Sequence, residues 1–495
     1  MPISRPPPAH CLSPAPAQHT ALSLRLRDIA NARAHHYQCK IAIGVQTATD
    51  AYSVGSNNVD AERDTFAWGS VTKLLTGAAV LRAAERAQLD LDAPVYPLVD
   101  PQLNALGIGP MSLLFGDDAK LITTRHLAGM KSGVPDYDTA SPRGAHPTDA
   151  FRAMVYAQPC KEWGPAELLN VSWVATGQLD ETPGGRYRYS STNFVLLGLL
   201  LAQLSQAPRW DEYDQLTALD ALPASRRRLY CARFAVHGAP VDWTTIHGLD
   251  RTNYNGGNAS VLPGTDVYHV DGVFGGWTAS DLVAPVSDTS RLAYDLFGSA
   301  GPRALKAPSV LAMVPTPEDH RYGLATFNLT RHWGATGASA DGVDFNTAYG
   351  HLGATYGYQS IVLYFPGADV ALSVATNLET DHQIQPTDVA CLAYNAILAS
   401  GRGVAEPICE YVSSNYYGGK CVCKEAQPPS LPPTASPPPS PPPSGDHDIK
   451  PAGSSGYYGV GLLIGVLALA GVLGVLYSCT YSLSHSLSQL YVRLA

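Results

Sequence analysis

The chain has 495 residues, a formal net charge of −9, 15% charged residues and 45% hydrophobic residues. That length can bury a full-sized core, and the acidic balance leaves no basic footprint, which excludes a nucleic-acid partner. Residues 1–21 form a proline-rich N-terminal segment with Pro6-Pro7-Pro8 and without the apolar core of a signal peptide. The first stretch with chemistry in it is Phe66-Ala67-Trp68-Gly69-Ser70-Val71-Thr72-Lys73, the only Ser-x-x-Lys of the chain. An apolar helical pattern follows over residues 74 to about 87 and stops at Leu89-Asp90-Leu91-Asp92-Ala93-Pro94-Val95. Ser70 and Lys73 are one helical turn apart and share a face, so the amine can reach the hydroxyl. A serine hydroxyl is nearly inert at neutral pH. The amine takes its proton only if burial or a neighbouring cation holds the lysine partly uncharged. The helix N-terminus favours the alkoxide and the oxyanion that follows it.

Further along come Thr124-Arg125-His126-Leu127 and Ser132-Gly133-Val134-Pro135-Asp136-Tyr137, and then the loop Pro183-Gly184-Gly185-Arg186-Tyr187-Arg188-Tyr189-Ser190-Ser191-Thr192-Asn193. Gly275-Gly276-Trp277-Thr278-Ala279-Ser280-Asp281-Leu282 and Tyr322-Gly323-Leu324 precede Gly350-His351-Leu352-Gly353-Ala354. Two strand-like runs, 361–365 and 370–376, flank the turn residues Pro366-Gly367-Ala368-Asp369 and predict a β-hairpin. Singly, each candidate has a plain structural reading. Lys73 could be a solvated helix lysine, Tyr189 an amphipathic core tyrosine and His351 a loop histidine beside a flexible glycine. Their order along the chain argues otherwise.

Taken together these segments resemble the serine β-lactamase and penicillin-binding-protein superfamily, in particular its class C-related branch of esterases and D-peptidases, over roughly residues 22–400. The resemblance implies an α+β fold, an antiparallel sheet flanked by helices with a helical insertion. It implies acyl transfer through a covalent acyl-enzyme, with Ser70 as nucleophile and Lys73 and Tyr189 moving its proton, either of them the base. It places Ser191, His351, Gly353 and Ala354 at the substrate, with the backbone N–H groups of Ser70 and Ala354 holding the oxyanion. Gly353 would let the strand edge lie close to the substrate. Two residues depart from the family pattern. Ser191 stands where Asn is usual and offers one hydroxyl in place of an amide, and His351 stands where a lysine would supply a permanent cation. Both changes favour an ester, amide or D-amino-acid peptide over a β-lactam antibiotic. A catalytically impaired binding or surface protein is the alternative. No cofactor and no metal are expected, since Cys421-Val422-Cys423 is short for a zinc pair and has no histidine nearby.

Residues 401–426 form a cysteine-containing segment with Cys409, Cys421 and Cys423, suited to a small disulfide knot. Residues 427–456 are a Pro/Ser-rich stalk expected to be a stiff polyproline spacer. Residues 457–477 are an uncharged apolar run with Tyr457 and Tyr477 at its ends, long enough for a transmembrane helix, and 478–495 are a short tail. The membrane is thus an expected partner beside a small-molecule or peptide substrate. Without a leader the literal reading is a tail-anchored protein with a cytosolic domain. The sequons Asn170-Val171-Ser172, Asn258-Ala259-Ser260 and Asn328-Leu329-Thr330, the stalk and the cysteine cluster favour an extracellular or lumenal catalytic domain.

Overall fold

Why the site is rigid begins with strand alternation in a six-stranded antiparallel sheet. The computed structural model describes residues 20–138, 150–252, 264–316, 321–330, 333–335, 343–381 and 383–402, with 409–411, 413–414 and 420–421. The described residues belong to one compact unit. The stalk and the apolar run 457–477 lie outside the described residues, and among the described residues no helix is long and apolar enough to cross a membrane.

The strands of the large sheet are β1 (Ile41–Gln46), β2 (Ala51–Gly55), β3 (Phe327–Asn328), β4 (Tyr349–Thr355), β5 (Tyr358–Phe365) and β6 (Val370–Thr376), in the spatial order β2-β1-β6-β5-β4-β3. Residues on the two faces alternate. Ile41, Ile43, Val45, Ile361, Leu363, Phe365, Val370, Leu372 and Val374 pack into one core with α1 (Ala21–Tyr37) and the C-terminal helix Ile384–Arg402. Ala42, Tyr358, Val362, Tyr364, Ala371 and Ala375 belong to a second core, which holds the helical part of the molecule. The predicted hairpin is present as β5 and β6, with Asp369 at φ 52° closing the turn.

Small residues on this second face let a helix come close. A Cβ on Gly44 would lie 2.4 Å from the carbonyl oxygen of Val286, and Ser373 Oγ donates to that same oxygen at 2.8 Å. Val286 opens the buried helix Val286–Phe297, which covers β1 and β6. Two further helices, Thr72–Glu85 and Thr192–Leu204, are buried along most of their length and fill the second core. The helix expected from residue 74 thus begins two residues earlier, directly after a 3-10 turn at Gly69–Val71. The expected antiparallel sheet with flanking helices is the observed architecture.

Candidate active site

Ser70 sits in the 3-10 turn between the short strand Phe66–Ala67 and the helix Thr72–Glu85, and this approach is tied down on both sides. Trp68 donates its backbone N–H to Leu282 O at 2.9 Å and its indole N–H to Ala284 O at 2.8 Å. Thr72 Oγ1 donates to Gly69 O at 2.7 Å and accepts from Leu282 N at 3.0 Å. Gly69 has φ 52°, a conformation that glycine adopts without steric cost. A Cβ there would lie 2.4 Å from the Ala354 carbonyl oxygen and 2.9 Å from the Ala354 nitrogen. The nucleophile turn and β4 are therefore in backbone contact, which brings the peptide groups of Ser70 and Ala354 to the same place. Gly353 is equally confined, since a Cβ would approach Trp68 O to 2.1 Å and Ser360 Oγ to 2.2 Å.

Lys73 Nζ lies 2.8 Å from Ser70 Oγ and donates to Ala279 O at 2.9 Å. Burial pulls this amine down to about 7, against the carboxylates of Asp136 and Asp138, which pull it up. Tyr189 donates its phenolic proton to Ser70 Oγ at 3.0 Å. Its ring is stacked on Phe327 at 5.7 Å, and burial pushes the phenol well above its ordinary value, so it keeps its proton. The two groups on Ser70 thus have opposite tendencies. The amine can be free of its proton near pH 7, and the phenol cannot.

Ser191 lines the cleft beside Ser70, and its backbone N–H donates to Asp136 Oδ1 at 2.9 Å. His351 is fully buried. Its Nδ1 donates to Leu352 O at 2.5 Å, which leaves Nε2 to accept from the Tyr322 hydroxyl at 3.0 Å. Burial, with the Lys73 charge second, pulls the imidazole down to about 3, so it is neutral. Both ring nitrogens are engaged within the protein, and the imidazole stands behind Tyr189 with a ring separation of 6.4 Å. Ser70, Ser191 and Ala354 line one cleft, Lys73 and Tyr189 are hydrogen-bonded to Ser70, Gly353 packs against the nucleophile turn beside Ala354, and His351 stands behind Tyr189.

Several residues of this cleft escaped the sequence reading. Tyr322 belonged to a quoted segment, but nothing local pointed to its hydroxyl meeting His351. Arg152 and Glu379 line the same cleft as Ser70 and Ala354 without any motif around them. Glu379 is buried, and that burial pushes its carboxyl up to about 7 against the pull of Arg152. Cys160, Cys231 and Cys391 are disulfide-bonded, whereas Cys39 is a free thiol pushed up to about 12 by burial. The side chains of Cys409, Cys421 and Cys423 lie outside the described residues, and so does the disulfide knot expected there. Among the described residues there is no group of His, Cys, Asp and Glu able to hold a metal ion.

A serine, a lysine and a tyrosine converging beside a glycine-containing strand on this mixed fold are the arrangement expected of the serine β-lactamase and transpeptidase superfamily. The beta-lactamase family model matches residues 52–391, more than half of the chain, and the chain belongs to that family. Among solved structures it is similar to a D-stereospecific amidohydrolase from Streptomyces sp. at 18% identity, with 77% of this chain and 99% of that one covered and a TM-score of 0.55. It is also similar to the D-amino acid amidase of Ochrobactrum anthropi SV3 complexed with D-phenylalanine, at 17% identity, 77% and 99% coverage and a TM-score of 0.57. The octameric penicillin-binding protein homologue from Pyrococcus abyssi matches at 18% identity, 77% coverage of each chain and a TM-score of 0.52. These likenesses establish a common fold.

Proposed function

We propose that this protein is a serine hydrolase that cleaves small esters, amides or D-amino-acid-containing peptides through an acyl-enzyme on Ser70. The observation that supports it most is the convergence of Lys73 Nζ at 2.8 Å and Tyr189 OH at 3.0 Å on one hydroxyl, with the amine pulled down to about 7. Neutral Lys73 takes the proton of Ser70 Oγ as that oxygen bonds to the substrate carbonyl carbon. The backbone N–H groups of Ser70 and Ala354 hold the resulting oxyanion. The bond to the leaving group then breaks, and the leaving group departs with a proton delivered through the Lys73 and Tyr189 pair. Water attacks the ester on Ser70, gives its proton to the same pair, and the acid product leaves with Ser70 restored. Lys73 is the base in this scheme because Tyr189 is held in its protonated form.

The absence of a cation at position 351 supports esters and amides over β-lactams, because the neutral, buried imidazole offers no fixed charge to a substrate carboxylate. The related D-amino acid amidases are consistent with a small acyl group. The domain is further proposed to be extracellular or lumenal and tethered through residues 457–477. Disulfides at Cys160, Cys231 and Cys391 support an oxidising compartment, since such bonds are kept reduced in the cytosol. A fluorophosphonate probe tests the activity directly. It should label Ser70 and leave Ser70→Ala unlabelled, and a panel of p-nitrophenyl esters, D-alanyl peptides and nitrocefin should then rank the substrates. Label on any other residue would overturn the assignment.

A further inference from the structure

At one wall of the cleft, a cluster of buried charges holds the chain just beyond Ala354. Arg152 lies in the helix Ala150–Ala157. Its Nη1 donates to Asp250 Oδ2 at 2.7 Å, to Glu379 Oε2 at 2.7 Å and to Thr252 Oγ1 at 3.3 Å, and its Nη2 donates to Glu379 Oε1 at 2.8 Å. Tyr156, one turn further along the helix, donates to the same Asp250 oxygen at 2.5 Å. The side chains of Arg152, Asp250 and Glu379 are 5%, 1% and 3% exposed, so the pairing is almost dry. Burying such a cluster is poor value for stability alone, because desolvation offsets most of the attraction. Geometry is the better reason for it.

That geometry converges on the turn between β4 and β5. Glu379 Oε2 accepts from the backbone N–H of Gly357 at 3.0 Å, and the Arg152 guanidinium lies 4.5 Å from the centre of the Tyr356 ring. Gly357 O accepts from Leu249 N at 3.0 Å, and Thr355 Oγ1 donates to Val273 O at 2.7 Å. Thr355, Tyr356 and Gly357 are thus each anchored, and they directly follow Ala354. We propose that Arg152, braced by Asp250 and Glu379, is a positioning residue that fixes the Ala354 peptide N–H opposite Ser70 for the oxyanion. The role rests on the acyl-transfer reading of the site. A donor held by this cluster acts on the transition state more than on the bound substrate, since a displacement of about 1 Å can cost about a hundredfold in rate.

The test uses Arg152→Lys, which keeps the charge and loses the two-pronged hydrogen bonding, and Tyr356→Leu, which removes the stacked ring and leaves the ion cluster. For each folded variant, kcat and KM are measured on a p-nitrophenyl ester with the inhibition constant of a boronic acid that forms a tetrahedral adduct on Ser70. Thermal melts are recorded in parallel. Arg152→Lys should lower kcat at least tenfold with KM within threefold, and the boronate should weaken by a matching factor. Tyr356→Leu should follow the same line with a smaller loss, and it decides the question alone if Arg152→Lys does not fold. A folded variant with lowered melting temperature but kcat within twofold of the parent would overturn the role, as would a loss confined to KM. A parent protein that fluorophosphonate does not label would overturn the acyl-transfer reading itself, and the positioning role with it.

Discussion

Lys73 holds its amine 2.8 Å from Ser70 Oγ while anchored to the Ala279 carbonyl at 2.9 Å, so the base is aimed at the nucleophile before any substrate arrives. Ser70→Ala should abolish phosphonate labelling and reduce turnover by up to ~10⁶, as deletion of a nucleophile does. Lys73→Ala and Tyr189→Phe should each slow acylation strongly, and the double variant should lose far less than the sum of the two. Lys73→Arg should not restore the rate, because a guanidinium keeps its proton at any working pH. Single-turnover kinetics with full additivity would contradict the shared role.

The pH dependence follows from the same amine. Burial pulls Lys73 down to about 7, so kcat/KM should fall as pH drops through about 7, when the amine takes up a proton and ceases to be a base. Asp136 favours the charged form, so Asp136→Asn should move this acid limb to lower pH. The stability effect has the opposite chemistry. Between the folded value and the ordinary lysine value of 10.5, the unfolded chain binds a proton at this site that the folded chain does not, and the site therefore penalises folding more at pH 7 than at pH 10. Lys73→Met should accordingly melt higher than the parent at pH 7 while being inactive. A limb unmoved by Asp136→Asn would separate it from Lys73.

Gly353 faces a close backbone approach at the site, and Gly353→Ala tests it. A methyl group there would lie 2.1 Å from Trp68 O and 2.2 Å from Ser360 Oγ, so β4 and the nucleophile turn must separate. Activity should drop at least a hundredfold, the order expected for losing one oxyanion donor. Gly107→Ala is the control, since nothing lies within 4 Å of a Cβ at that position. Its φ of 75° still costs some stability, but the rate should be retained. Equal rates for the two variants would contradict the close approach.

How much of this was legible before the fold follows from the range of each interaction. Ser70 and Lys73 declare themselves because a helix sets their geometry, and three residues of spacing suffice. The hairpin 358–376 is similarly local, with its turn residues and apolar runs side by side in the chain. His351 could be found by position but not understood, because its Tyr322 partner is 29 residues away and arrives only when β3 pairs with β4. Arg152 and Glu379 are 227 residues apart, and each alone looks like an ordinary charged residue. Ser373 and Gly44 gave no signal either. Their small size matters only because the Val286 carbonyl lies against them.

Substrate preference can be moved through the two positions that depart from the family pattern. The natural protein should cleave short activated esters much faster than nitrocefin. Ser191→Asn adds an amide at the cleft beside Ser70, and His351→Lys supplies a cation, though it also breaks the bond to Tyr322. A hydrogen-bonding group of this kind is worth about 1–3 kcal/mol, so the paired substitution should shift the nitrocefin-to-ester ratio at least tenfold towards nitrocefin. Nitrocefin turnover by the natural sequence equal to ester turnover would sink the preference and leave the Ser70 chemistry standing.

The compartment is tested by sugar and thiol together. Asn170 is exposed at the end of the helix Pro165–Leu169, where a glycosyltransferase can reach it. Asn328 is only half exposed, and its side-chain oxygen accepts from Thr330 N at 3.1 Å within the sheet edge. In a eukaryotic secretory host Asn170 should therefore take glycan more completely, and Asn170→Gln should remove the larger part of a glycosidase-sensitive mass. Thiol alkylation without reductant should spare Cys160, Cys231 and Cys391, and full-length protein should stay with membranes through carbonate washing while a chain ending near residue 426 is released. Glycan-free protein with those three cysteines alkylated would place the domain in the cytosol, because neither sequons nor disulfides would then have met the machinery that modifies them.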